Sequence, residues 1–207
     1  MEKVLEVYKR PFDPKNPVVC MDESPKQLIG EVKVPIPSKP GQVERYDYEY
    51  KRCGVCNIFM ANEPLAGKRL VKITGRKTKK DWACFLMAIA SQHKDAEKIT
   101  LVMDNYATHF PGSFYEAFSP LQAKILWDRF EFVYTPKHGS WLNMAEIELN
   151  VLNRQCLGRR IDNIEDIRKE VHAWQEHRNN KNAKVNWQFT TEDARIKLSR
   201  LYPTYDA

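Results

Sequence analysis

The run "ITLVMD", Ile99 to Asp104, constrains the fold more than any other stretch of the chain. It has no alternation of polar and apolar residues, is rich in β-branched side chains, and ends in a carboxylate. A strand of this kind is buried on both faces and needs helices above and below its sheet. "FEFVYTP" (Phe130 to Pro136) is another strand, and "VVCM" (Val18 to Met21), bounded by Pro17 and Asp22, is a short buried one. Only a short polar lead precedes it.

From Gln42 to Thr74 the pattern changes. "QVERYDYEYKR" alternates aromatic or apolar residues with charged ones, as a half-exposed antiparallel strand does. "VCNIFMANE" and "KRLVKIT" read as its partners, with turns at Cys53-Gly54 and Leu65-Ala66-Gly67. Helical spacing follows: Thr78 with Asp81 forms a capping box ahead of Trp82, Phe85, Leu86 and Ile89. Two short helices start at Ser113 and at Ser119-Pro120, where proline takes the first helical position. Three more are predicted at about 143–157, 164–179 and 191–201, the middle one capped by Asp162 with Glu165. An antiparallel meander joined to two parallel strands by helical crossovers gives a mixed five-stranded α/β sheet with helices on both faces. This resembles the ribonuclease H-like arrangement.

The chain has 207 residues, which suits one domain with a large core. Lysine and arginine outnumber aspartate and glutamate by 33 to 27, an excess that favours a polyanionic partner without requiring one. Five cysteines, no secretory h-region and no apolar run long enough to span a bilayer fit a reduced cytosolic compartment rather than a membrane or a disulfide scaffold. Cys53 and Cys56 invite a zinc reading, but no second pair has ligand spacing.

Asp22 and Asp104 each end a strand, and in the expected sheet these two strands run parallel at its centre. Their carboxylates then meet at the carboxyl ends of the strands, the usual place for a site in an open α/β sheet. Adjacent carboxylates repel unless a cation lies between them, and hard oxygen ligands suit Mg²⁺ or Mn²⁺. A third acid can come from the helix after "FEFVYTP". At 100° per residue, Asn143, Glu146, Asn150 and Asn153 share one polar ridge, while Glu148 points roughly 200° away. Register favours Glu146 but leaves either glutamate open.

"VVCMDESPKQLIGE", "LVMDNYATH" and "YTPKHGSWLNMAEIEL" together resemble the three catalytic blocks of DDE transposases, most closely the bacterial insertion-sequence branch of the mariner-like superfamily. The tail "NWQFTTEDARIKLSRLYP" resembles the end of those proteins. The family pattern Leu-Asn-x-x-Glu falls on Leu142, Asn143 and Glu146, so the resemblance implies Asp22, Asp104 and Glu146 as catalytic residues holding two Mg²⁺ or Mn²⁺ ions. It further implies cutting of transposon terminal inverted repeats, joining of 3′-hydroxyls to target DNA, and a homodimer assembled on double-stranded DNA near the bacterial nucleoid. Residues 1–207 are expected to form the catalytic domain with its C-terminal helices, without the N-terminal helix-turn-helix domains of the family.

Within the matched blocks, Asn105, His109 and Asn143 are expected to support the acids. His138 either contacts a phosphate or holds its loop, and Lys137 suits a phosphate. Arg76, Lys77, Lys79 and Lys80 at a helix start, with Arg159 and Arg160, are candidate backbone contacts that would position DNA without reading its sequence. Trp141 reads as a core anchor rather than a base-stacking platform. A non-catalytic DNA-binding remnant and a general ribonuclease H-like nuclease stand as alternatives.

Overall fold

The computed structural model describes residues 1–202, so Pro203, the last residue of the matched tail, lies outside it. Strands β1 (Val18–Glu31), β2 (Tyr50–Glu63) and β3 (Lys68–Thr74) form the antiparallel meander. Helix α2 (Lys79–Gln92) leads to β4 (Ile99–Met103), and helices α3 (Gly112–Ala117) and α4 (Pro120–Asp128) lead to β5 (Phe130–Tyr134). The strand order is β3-β2-β1-β4-β5, with β1–β4 and β4–β5 parallel. Helices α5 (Met144–Gln155), α6 (Ile164–Asn180) and α7 (Thr191–Lys197) complete the described chain.

Side-chain alternation along the strands divides the core into two layers. Cys20, Ile58, Met60, Val102 and Val133 pack beneath α5 and α6. Met21, Phe59, Leu101 and Met103 pack beneath Trp82, Phe85 and Phe114 of α2 and α3. Every residue of β4 is buried, as its composition demanded. Thr78 and Asp81 form their capping box, and Pro120 occupies the first position of α4.

Five expectations need correction. The N-terminal lead is a helix, α1 (Glu2–Tyr8), because Val4, Leu5, Val7 and Tyr8 make one face apolar and bury it. Asp22 does not end its strand: β1 pairs with β4 only as far as Cys20 but with β2 as far as Glu31. Residues 42–49 form no strand. They belong to an arm between β1 and β2 closed by the isolated bridges Ile36–Arg45 and Lys39–Gln42, and no layer covers their apolar side chains. Cys53-Gly54 is not a turn but a bulge inside β2, where the register slips between Leu28 and Ile29 and Gly54 adopts φ +120°. Cys53 is exposed there while Cys56 is buried. At the start of α6 the cap is Asn163, which accepts from the Asp166 amide at 2.8 Å, rather than Asp162.

Candidate active site

Beyond Cys20 the β4 side of β1 is open, and three elements converge on the gap. Asp22 faces it from β1, Asp104 follows the last residue of β4, and the N-terminus of α5 presents Glu146 in its first turn. That helix end is fixed by Asn143. Its Oδ1 accepts from the Ala145 amide at 3.1 Å, and its Nδ2 donates to the Met21 carbonyl at 2.8 Å. The preceding turn is also held, because the Tyr8 hydroxyl donates to the Leu142 carbonyl at 2.7 Å.

The three acids share one electrostatic field. Burial pushes the Asp22 carboxyl up to about 6, and the carboxylates of Asp104, Glu146 and Glu23 add to the rise against the hydrogen bond from the Glu23 amide. Glu148 is elsewhere. It is fully buried and gripped by the Arg69 guanidinium through two bonds of 2.8 Å, with Arg178 at 2.9 Å. Burial alone would raise its carboxyl, but the two arginines outweigh burial and hold it below the usual range. Glu148 thus ties α5 to β3 and α6, and Glu146 is the glutamate beside Asp22.

Asp104 is anchored from the opposite side. Its Oδ1 lies 2.7 Å from His109 Nδ1, and the other ring nitrogen lies 2.9 Å from Glu23 Oε1. The imidazole is buried and stacked on Trp82 at 5.2 Å. Burial pulls it down, but the bonds to Asp104 and Glu23 prevail and push it up to about 9, so it is cationic at neutral pH. In turn His109 lowers the Asp104 carboxyl. Lys77 completes the chain, 3.0 Å from Glu23 Oε2 and 4.0 Å from the centre of the Tyr106 ring.

Glu23 is the residue that reading the sequence missed. Adjacent residues on a strand face opposite sides, so Asp22 turns toward α5 and Glu23 turns toward α2. A glutamate facing the covered side of a buried strand must find a partner, and that was the available signal.

The acids offer the hard oxygen donors and accumulated negative charge that suit a divalent cation. The shell is not closed, however. Among the described residues no group of three or more His, Cys, Asp or Glu side chains is gathered as a ready metal cage. One oxygen of Asp104 is committed to His109, which leaves the other for a cation.

A cleft of about 530 Å³ opens beside Asp104, lined by Asn105, Tyr106, Lys137 and His138. Its floor is the tight turn Pro136–Gly139, where the Gly139 amide donates to the Pro136 carbonyl at 2.9 Å. A Cβ on Gly139 would meet Pro136 at 2.6 Å, and His138 takes φ +60°. Of the other basic candidates, Lys79 pairs with Glu116, while Arg76 and Lys80 are exposed. Arg159 and Arg160 are not brought to the acids. They bind Glu170 and Glu31, and Glu31 is on the order of 30 Å from Asp22 at about 3.3 Å per strand residue. Trp141 is not a buried anchor: its turn buries Leu142 instead, leaving Trp141 43% exposed against Trp187 and Phe189.

The family model of the DDE superfamily endonuclease matches residues 17–168, which include all three acids. No curated protein sequence matches the chain. Among solved structures, the Mos1 mariner paired end complex with Mn aligns at TM-score 0.57 and 13% identity, covering 88% of this chain and 56% of that one. A Mos1 strand transfer complex gives 0.55 at 13% identity, over 88% and 58% of the two chains. A Mos1 transposase paired-end complex with left transposon end gives 0.53 at 14%, over 88% and 60%. The chain therefore spans little more than half the length of these structures. The likeness is one of fold, and the mixed sheet is ribonuclease H-like, as its strand order led us to expect.

Proposed function

Because the chain belongs to the DDE superfamily endonucleases, we propose that it is the catalytic part of a transposase. Its reaction would be to cut DNA at transposon ends and join the resulting 3′-hydroxyls to target DNA. The observation that carries this reading is the convergence of Asp22, Asp104 and Glu146 at one open end of the sheet, with Asp22 pushed up to about 6. Asp22, Asp104 and Glu146 would hold Mg²⁺ or Mn²⁺, two ions in the full site. Bound there, the ions would activate a water or a 3′-hydroxyl and neutralise charge on the leaving oxygen of an in-line displacement.

The chain's own residues do the positioning. Asn143 sets the head of α5 against β1, and His109 orients Asp104. Lys137 and His138 offer phosphate contacts along the cleft, with Arg76 and Lys80 extending them at the surface. These contacts would hold the DNA backbone without sequence readout and weaken steeply with salt. On this reading the chain would fall in the bacterial insertion-sequence branch of the mariner-like superfamily. No helix among the described residues is long and apolar enough to cross a membrane, and the working compartment would be the cytoplasm, at the nucleoid. Two copies would act together on paired ends.

The test is nicking and strand transfer on terminal-repeat DNA with Mg²⁺ or Mn²⁺. Wild-type activity should vanish in Asp104→Asn and Glu146→Gln. Activity persisting in both variants would reject the mechanism. Metal-indifferent DNA binding without cleavage would favour a non-catalytic remnant, and preferential cleavage of RNA–DNA hybrids a general nuclease.

A further inference from the structure

Glu23 lies one residue beyond Asp22, yet it is turned to the opposite side of the sheet and has only 2% of its side chain exposed. A buried carboxylate persists only when it is fully engaged. Both of its oxygens are: Oε1 meets His109 Nε2 at 2.9 Å and Oε2 meets Lys77 Nζ at 3.0 Å. The imidazole it grips is itself locked, 1% exposed, flat against Trp82 and edge-on to Tyr106 at 6.0 Å. The free ring nitrogen therefore has one direction in which to point, and there it meets Asp104 Oδ1 at 2.7 Å and the Asp104 carbonyl at 3.0 Å. Asp104 is 43% exposed and follows the last residue of β4, so nothing in the strand ladder fixes its side chain.

We propose that Glu23 is a positioning residue: acting through His109, it aims the Asp104 carboxylate so that one oxygen is spent on the imidazole and the other is presented to the cation. The inference rests on the proposed triad, and it assigns to Glu23 a role that neither the acid pattern nor the ligand set contains. The same carboxylate sets Lys77 beside the site instead of leaving it on the surface. That explains why a lysine from the basic cluster ahead of α2 is only 28% exposed. Partners one bond removed from a metal ligand typically tune affinity by about 10–100-fold.

The experiment is Mn²⁺ binding to the intact chain, read by electron paramagnetic resonance and checked by calorimetry, with circular dichroism and thermal melting without metal as the fold control. Glu23→Gln preserves size and one acceptor but removes the charge, and should weaken Mn²⁺ binding about tenfold. His109→Gln should weaken it comparably. The double variant should be no weaker than His109→Gln alone, because the hold of Glu23 on Asp104 passes through the imidazole; a residue that merely stabilises the fold would give additive losses. Glu23→Asp, which keeps the charge but is one methylene short of His109, tests reach separately and should also bind weakly. Wild-type affinity in Glu23→Gln, or additive losses in the double variant, would overturn the proposal. The triad is judged by a different arm: Asp104→Asn and Glu146→Gln should abolish Mn²⁺ binding. If they leave it intact, the metal site is misassigned, and the role of Glu23 falls with it.

Discussion

Asn143 Nδ2 donates to the Met21 carbonyl at 2.8 Å, a single bond that joins the head of α5 to β1 one residue before Asp22. The same side chain caps the helix through Ala145. Glu146 therefore reaches Asp22 by way of a side chain that has no part in the chemistry.

Asn143→Ala should destabilise the fold by about 1–3 kcal/mol, from the lost cap and the unpaired buried carbonyl. DNA nicking should fall further than stability does, because the helix head is no longer pinned. Asn143→Asp keeps the cap but loses the donor, so it should recover the helix and not the activity. Urea denaturation alongside nicking rates checks this; wild-type behaviour in Asn143→Ala would show that the acids are placed by something else.

The two glutamates of α5 should separate cleanly. Glu148→Gln leaves Arg69 buried without its counter-charge and should cost about 3–5 kcal/mol. Glu146→Gln removes a partly exposed acid that repels Asp22 and should change stability by no more than about 0.5 kcal/mol while abolishing nicking. Chemical denaturation of both variants is sufficient. The reverse order of stabilities would exchange their roles.

This contrast also marks what could be read from the chain alone. The fold was legible where composition left one option: β4 must be buried on both faces, and Thr78 with Asp81 must start a helix. The nearness of Asp22 and Asp104 was legible because β1 and β4 run parallel, although Asp22 lies inside β1, just past the end of its pairing with β4, and not at the strand's end. Helical register by itself did not separate Glu146 from Glu148, since it shows that they diverge but not which side holds Arg69 and Arg178; only the resemblance of Leu142, Asn143 and Glu146 to the family pattern chose Glu146. Those arginines are distant in sequence, and only the packing of β3 and α6 brings them to Glu148. Residues 42–49 misled for a related reason. Their alternation suits a strand, but a strand needs a layer to cover its apolar face, and none of the packed helices covers this one.

Asp22 makes the metal-free fold sensitive to pH. Its folded value of about 6 exceeds the unfolded value of about 4, so between these pH values the native state holds a proton that the unfolded chain has lost. The resulting stability is fully present below about pH 4 and is lost as pH rises through about 6, a change of about 3 kcal/mol. Asp22→Asn should remove this dependence and melt higher than wild type at pH 8 without metal. Mn²⁺ should raise the wild-type melting temperature more at pH 8 than at pH 5, because the cation and the proton compete for one carboxylate. Equal Mn²⁺ shifts at both pH values would argue against a cation at Asp22.

The arm between β1 and β2 bears on pairing of two copies. Val34 is 92% exposed, Val43 81% and Tyr48 86%, a density of exposed apolar side chains that signals a contact surface. Its base is firmly held, because Arg160 binds Glu31 at 2.6 Å and the Asp47 carbonyl at 2.9 Å, with its guanidinium over Tyr46 and Tyr50. An anchored base with an uncovered tip suits an arm that reaches another molecule, and under the proposed function that molecule would be a second copy. Replacing Pro35 to Glu44 by a short Gly-Ser turn should leave the melting temperature within a few degrees of wild type, since the segment contributes nothing to either core layer. If the arm pairs two copies, sedimentation on terminal-repeat DNA should show two ends held together by wild type and one copy per DNA end for the shortened chain. Paired complexes of undiminished affinity in the shortened chain would place the contact between copies somewhere other than the arm.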